Sequence, residues 1–339
     1  MVSRRSALIT VCLSVIVFLS SFVATGSGAA AYHSSSLGSL GAQQRFASLA
    51  QVEAAVTASR GISKLPSSVA AQLGAAAIDD DRDVTGACFL PDADASSSKL
   101  SDCTYGNQKA GGSKTVVIFG DSLANMWFPA IETLAIDHGF KVILLSEANC
   151  PVPTLTFFDT NINAPSTACN TWRAAEVKEI DSLKPERIYV ASSGLGDEVV
   201  VNGKRSSSGD FSAWTAAFVR TIDAIRKSGA AITLIGNPPY IPLTAPNCLA
   251  AHLTSVQSCG STYAQAFADS RPDVEQTAAK EAHISFVNST ELFCSPPRCS
   301  VVINNMVVYR DPVHATATYV KYLTGALGTL LHWPAIKAS

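Results

Sequence analysis

The pattern of apolar and polar positions changes character at residue 114. Beyond it lie five short apolar runs rich in β-branched residues: 115–119 (TVVIF), 141–145 (KVILL), 187–190 (RIYV), 231–235 (AITLI) and 284–287 (ISFV). Such runs, short and not alternating, predict strands buried on both faces. Between them the apolar residues fall at helical spacing. Leu123, Met126, Trp127, Ala130, Ile131 and Leu134 form one stripe over 123–138, and Gly139 ends it. Helices are also expected over 172–182, 211–228, 263–282 and 316–331. Strands that alternate with helices predict a parallel sheet covered on both faces, with right-handed crossovers. In such sheets, sites form at the carboxyl ends of the strands.

Ahead of residue 114 the grammar differs. Residues 41–60 have a helical apolar rhythm that stops at Gly61, and a second short helix is expected from Pro66 to about Ala77. The acidic run 79–83 (DDDRD) reads as a solvated loop, and 91–113 as irregular. Residues 32–113 are thus expected to form an extension that packs on a main domain at 114–335. The first 31 residues read as an export segment. Arg4 and Arg5 precede an apolar stretch at 7–23, and small residues follow up to Ala31. The stretch is also close to the lower length limit for an uncleaved membrane anchor. Either alternative places the rest of the chain outside the cytoplasm.

Composition narrows the function classes. The 339 residues are 47% apolar and 15% charged, which suits a sizeable core rather than disorder. A net charge of −2 supplies no electrostatic basis for binding nucleic acid or a membrane surface. Cys12 lies in the export segment. The other eight cysteines, an even number in an exported chain, read as disulfides. Eight allow 105 pairings. They fall into four pairs of near neighbours, so Cys88–Cys103, Cys150–Cys169, Cys248–Cys259 and Cys294–Cys299 are expected. No CxxC and no histidine at ligand spacing favour a metal.

Two short motifs carry candidate chemistry. Gly120-Asp121-Ser122 ends the first strand of the main domain and opens a helix. That position exposes Ser122 at the rim, next to helix N–H groups able to hold an oxyanion. Asp311-Pro312-Val313-His314 lies after the fifth strand. An Asp and a His three residues apart can meet, so that the carboxylate holds Nδ1–H and leaves Nε2 free to accept a serine proton. Each motif has a plainer alternative as a helix start. Asp121, Ser122 or Asp311 would be an N-cap, and Pro312 the first helical residue.

GDS near the start of a domain and DxxH near its end resemble the SGNH hydrolase superfamily. The resemblance is closer to the extracytoplasmic SGNH domain of acyltransferase-3-type O-acyltransferases, which modify cell-surface glycans. It rests on VVIFGDSLANMWFPAIETLA (116–135), ANCP (148–151), CNTWR (169–173), KPERIYVAS (184–192), GNPPYIP with NCLA (236–250) and the segment 292–323, and it spans roughly 45–332. It implies a flavodoxin-like three-layer α/β sandwich with a five-stranded parallel sheet. It also implies a triad of Ser122, His314 and Asp311, with no metal or nucleotide cofactor. Leu123 stands where that group commonly has His, and Ala315 where it often has Leu. The Gly and Asn blocks of ordinary SGNH esterases are not recognisable. Asn149, Ser193 and Gly194, in the loops after the second and third strands, are the candidates to join the Ser122 N–H as oxyanion donors, although Asn149 and Gly194 are equally ordinary turn residues.

The fused proteins carry a membrane half, and here only the amino-terminal segment is apolar enough. The expected enzyme therefore either takes acyl groups, acetyl foremost, from a separate membrane acyltransferase or hydrolyses esters itself. The alternative is a catalytically degenerate domain that binds glycan or acts as a scaffold. Trp127, Trp172 and Trp214 are candidates for a glycan groove, the first two also fitting core stripes. His138, His252, His283 and His332 are scattered, and Asn288-Ser289-Thr290 is a glycosylation sequon.

Overall fold

In the computed structural model the five predicted strands form one parallel sheet. They are β3 (Thr115–Gly120), β4 (Lys141–Glu147), β5 (Arg187–Ala191), β6 (Ala231–Ile235) and β7 (Ser285–Val287). Their order is β4-β3-β5-β6-β7, the flavodoxin-like arrangement in which the first strand is central and the order reverses beside it. The description covers residues 47–334 apart from 87, 92–95, 98, 111–113, 160–161, 194–197, 202, 207–209 and 269–270. The expected export segment, Cys12 and residues 32–46 lie outside the described residues.

The sheet is wider than the five apolar runs imply. β1 (Phe89–Leu90) pairs parallel with the end of β4, and β2 (Thr104–Gly106) pairs antiparallel with its start. β2 comes from the stretch expected to be irregular. Three residues with a serine- and glycine-rich surround leave too little pattern to read, and pairing with β4 supplies the missing backbone partners.

Alternate residues of β3 enter opposite layers, as the pleat requires. Val116 and Ile118 join one apolar cluster, with α1 (Leu49–Ser59), α2 (Ser122–Asp137), α6 (Ala317–Tyr322) and α7 (Thr324–Leu330). Val117 and Phe119 join the other, with α3 (Thr167–Leu183), α4 (Phe211–Ile225) and α5 (Arg271–Glu281). All six β3 residues are buried, which is why its centre, Val116 to Phe119, is apolar on both faces. Trp127, Trp172 and Trp214 are each fully buried, so Trp127 and Trp172 take the core alternative that their helical stripes offered, and the groove candidacy is corrected for all three. Each fully buried Val, Leu, Ile, Phe or Met in the two clusters stabilises the fold by about 1.5–3 kcal/mol.

Several helices are shorter than their patterns predict. The closing helix breaks at Leu323 into α6 and α7. There α7 lies so close to α2 that a Cβ on Gly328 would meet Leu134 Cδ2 at 2.7 Å. The 263–282 helix is a turn at Tyr263–Ala266, closed by a capping box from Thr262, followed by α5. Pro272 fits the first turn of α5, where a missing N–H costs nothing. The segment from Pro66 forms two single turns, Ser67–Ala70 and Leu73–Ala76. The four disulfides join Cys88–Cys103, Cys150–Cys169, Cys248–Cys259 and Cys294–Cys299. No helix among the described residues is long and apolar enough to cross a membrane.

Candidate active site

Because the strands are parallel, their carboxyl ends share one rim, and the two motifs meet there. β3 ends at Gly120, which pairs with Ser146 of β4 and Ala191 of β5. A Cβ at Gly120 would sit 1.7 Å from the Ala191 carbonyl oxygen, so only glycine lets the strands close behind the turn. Asp121 is the N-cap of α2 and accepts from Leu123 N–H at 2.9 Å. Ser122 is thereby the first helical residue, and its side chain stands at the rim.

Ser122 Oγ lies 2.8 Å from His314 Nε2. On the other side of the ring, Nδ1 lies 2.9 and 2.8 Å from the two Asp311 carboxylate oxygens. An ionised carboxylate only accepts, so Nδ1 carries the proton and Nε2 accepts from the Ser122 hydroxyl. Asp311 Oδ1 also accepts from Val313 N–H (2.9 Å) and His314 N–H (2.8 Å), a local turn that sets the carboxylate against its own histidine. Burial raises the Asp311 pKa, but the hydrogen bond and charge of His314, the Val313 N–H and the charge of Arg310 outweigh it and hold the carboxyl below its ordinary range.

Residues 311–314 do not start a helix. A bridge between Tyr309 and Ala315 closes them into a loop, and the next helix begins at Ala317 with Thr316 as its cap. The loop is tied to the rim by Ile241 N–H donating to Pro312 O at 2.9 Å, and to α2 by Ala315 N–H donating to Met126 Sδ at 3.1 Å.

The buried Asp121 does more than cap a helix. Its Oδ2 accepts from Ser193 N–H and Ser193 Oγ–H, both at 2.6 Å, and from Ser192 Oγ–H at 3.3 Å. Burial pushes its carboxyl pKa up, while the hydrogen bonds of Ser193 and Leu123 and the nearby His314 pull against the rise. Ser146 Oγ–H donates to its carbonyl at 2.8 Å. The turn bearing Ser122 is therefore locked to the ends of β4 and β5. Only the N-cap part of this role was legible locally, because Ser192 and Ser193 are about 70 residues away.

A cleft opens over the Ser122–His314 pair. It is lined by Ser122, Leu123, Ser193, Asn237, Pro238, Tyr240, Val313 and His314. Of the expected oxyanion donors, Ser193 is in the cleft with its N–H and hydroxyl directed to Asp121. Asn149 is exposed in left-handed backbone after β4 and is not among the lining residues. Gly194 lies outside the described residues. Asn237 was not singled out beforehand, although its place after the fourth strand, before two prolines, marks it as a rim residue. It is 4% exposed, and neither atom of its side-chain amide has a hydrogen-bond partner. An unpaired buried amide costs about 1–3 kcal/mol.

The family model of the SGNH domain (fused to AT3 domains) matches residues 87–328. The chain belongs to the SGNH domain family. The match takes in both motifs and all seven strands of the main sheet. Among solved structures, this SGNH domain is similar to the periplasmic domain of a lipopolysaccharide acetyltransferase from Salmonella ser. Paratyphi A. The TM-score is 0.54 at 17% identity, over 73% of this chain and 92% of that one. A carbohydrate acetylesterase from Sinorhizobium meliloti matches with TM-score 0.40 and 11% identity, over 65% of this chain and 99% of that one. No curated protein matches the sequence.

Among the described residues, one metal-type cluster has compatible spacing, Cys248, His252 and Cys259. Its two sulfurs are joined to each other as a disulfide, so they are not thiolate ligands.

Proposed function

We propose that this SGNH protein is an exported serine enzyme that transfers acyl groups, acetyl foremost, to or from hydroxyls of cell-surface glycans through Ser122, His314 and Asp311. The observation that carries the reading is the continuous chain Ser122 Oγ–His314 Nε2, His314 Nδ1–Asp311, at 2.8–2.9 Å throughout. Family membership supports acyl-ester chemistry, and the expected export segment, with four disulfides, supports a site outside the cytoplasm.

Ser122 Oγ attacks the acyl carbonyl carbon while its proton passes to His314 Nε2. Asp311 keeps the ring oriented and stabilises its charged form. The tetrahedral intermediate collapses, and the departing alkoxide takes the proton from His314. The acyl group is now an ester on Ser122. A water or a sugar hydroxyl then attacks that ester, gives its proton to His314, and the proton returns to Ser122 Oγ as the acyl group leaves. Water as acceptor makes the enzyme an esterase. A glycan hydroxyl, with acyl groups supplied by a membrane acyltransferase partner, makes it a transferase.

The test is turnover of p-nitrophenyl acetate, with and without an added glycan acceptor. Ser122→Ala should lower kcat by a factor on the order of 10³ or more with little change in melting temperature. Equal rates in wild type and variant would remove Ser122 from the mechanism. An acylated glycan product identifies the transferase, and its absence beside released acetate identifies the esterase.

A further inference from the structure

The space over Ser122 is small. The cleft encloses about 40 Å³, room for about three non-hydrogen atoms where one water takes roughly 10–15 Å³. An acetyl group fills it, so whatever carries or receives that acetyl lies across the mouth. The mouth is apolar. Leu123, Pro238, Tyr240 and Val313 line it, and none of the described lining residues is Lys, Arg, Asp or Glu. It offers no partner to the phosphates of a charged acyl carrier. Among the described residues the exposed aromatic side chains are Phe211, Tyr240 and Tyr263, and of these Tyr240 lines the cleft. Its backbone is fixed before any substrate arrives. Tyr240 N–H donates to Ala266 O at 3.2 Å, and Tyr240 O accepts from Ser261 Oγ–H at 3.0 Å. The next N–H, of Ile241, donates to Pro312 O in the His314 loop at 2.9 Å. Pro238 and Pro239 precede it with fixed φ. The Cys248–Cys259 disulfide closes the segment that returns to Ser261, and Ser261 pairs with Cys299 of the hairpin bridged by Cys294–Cys299. A ring held this way loses little ordering entropy when a partner settles on it.

We propose that Tyr240 is a sugar-binding residue whose ring stacks on the apolar face of the neutral pyranose that loses or receives the acyl group at Ser122. A pyranose presents C–H groups on its face and hydroxyls at its edge. The negative face of the phenol ring attracts the weakly positive C–H groups, while the hydroxyls stay in water. The contact is the same in the bound sugar and in the transition state, so it lowers KM and leaves kcat nearly unchanged. An ester without a sugar does not make it.

This inference rests on the serine-ester reading above, and the test separates the two. Wild type, Tyr240→Ala and Tyr240→Phe are compared on ethyl acetate, which has no ring, and on partially O-acetylated maltohexaose, with acetate release as the readout. A second arm follows acetyl transfer from p-nitrophenyl acetate to maltohexaose, so the arms distinguish a sugar that departs from one that receives. In the arm where wild type saturates with sugar, Tyr240→Ala should raise KM for the sugar about tenfold and leave kcat within about threefold. Tyr240→Phe keeps the ring and should stay near wild type. On ethyl acetate the three should agree, and melting temperatures should differ little, because Tyr240 is exposed. A sugar KM for Tyr240→Ala within about twofold of wild type, or an equal loss on ethyl acetate, overturns the assignment of Tyr240. So does a wild type that saturates with sugar in neither arm while a fluorophosphonate still labels Ser122, which leaves the serine in place. A wild type that turns over no ester and takes no label overturns both readings.

Discussion

At the scale of single residues, the site depends on one histidine held between a hydroxyl and a carboxylate. Asp311 Oδ1 already accepts from the Val313 and His314 N–H groups, so the carboxylate's direction does not depend on the substrate. Asp311→Asn replaces an acceptor with an amide that can donate, which frees Nδ1–H and permits the wrong tautomer. Its kcat should drop by a factor on the order of 10³–10⁴ at neutral pH, measured with p-nitrophenyl acetate, while fold and melting temperature stay near wild type. The Ser122, Asp311 and His314 positions were legible in the sequence because each lies in a short local motif. Asn237 and the Ser193–Asp121 clamp were not, because they depend on which loops share a rim. Leu123, where the resemblance leads one to expect His, lines the cleft with an apolar wall, and its N–H serves Asp121.

At the scale of elements, the acidic run at 79–83, expected to be a solvated loop, is a dock through its first three residues. Asp79 carbonyl and carboxylate oxygens accept from Ala317 and Thr318 N–H groups at the start of α6. Asp80 pairs with Arg310, next to Asp311, at 3.4 Å, and Asp81 with Lys321 at 2.8 Å. The extension thus braces the residues on either side of the His314 loop. Glu132 of α2 faces this corner. Burial and the charge of Asp81 push its carboxyl up to about 7, against the pull of Lys321. Tyr105, beside Glu132 and Asp81, is likewise raised, to about 12, chiefly by burial. A carboxyl whose folded pKa lies above its unfolded value binds more protons in the folded state between about 4.5 and 7. Its contribution to stability therefore falls as pH rises through that window. Glu132→Gln should remove this loss. Relative to wild type it should gain about 1–3 kcal/mol at pH 8 and little at pH 4, read from urea unfolding at the two pH values.

At the scale of the whole molecule, four disulfides close loops of 15, 19, 11 and 5 residues of separation. Limiting the unfolded chain in this way stabilises the fold by about 2–3 kcal/mol per bridge on loop-closure entropy. Two of them, Cys88–Cys103 and Cys150–Cys169, anchor segments against the β4 end of the sheet, close to the rim. Reduction with a strong thiol reductant should lower the midpoint of unfolding in urea markedly, and ester turnover at 37 °C should be lost with it.

The amino-acid sequence by itself determined the five central strands, their alternation with helices and the identity of the Ser, His and Asp. Those features are local: a short, largely apolar run of four or five residues, a glycine before a helix, an aspartate three residues from a histidine. Only the tertiary structure decided that the two motifs share one rim, that Asp121 holds the β5 loop, and that Asn237 lines the same cleft as Ser122. Each of those contacts joins residues far apart in the chain, so its geometry is set by strand order and packing, which no local pattern encodes.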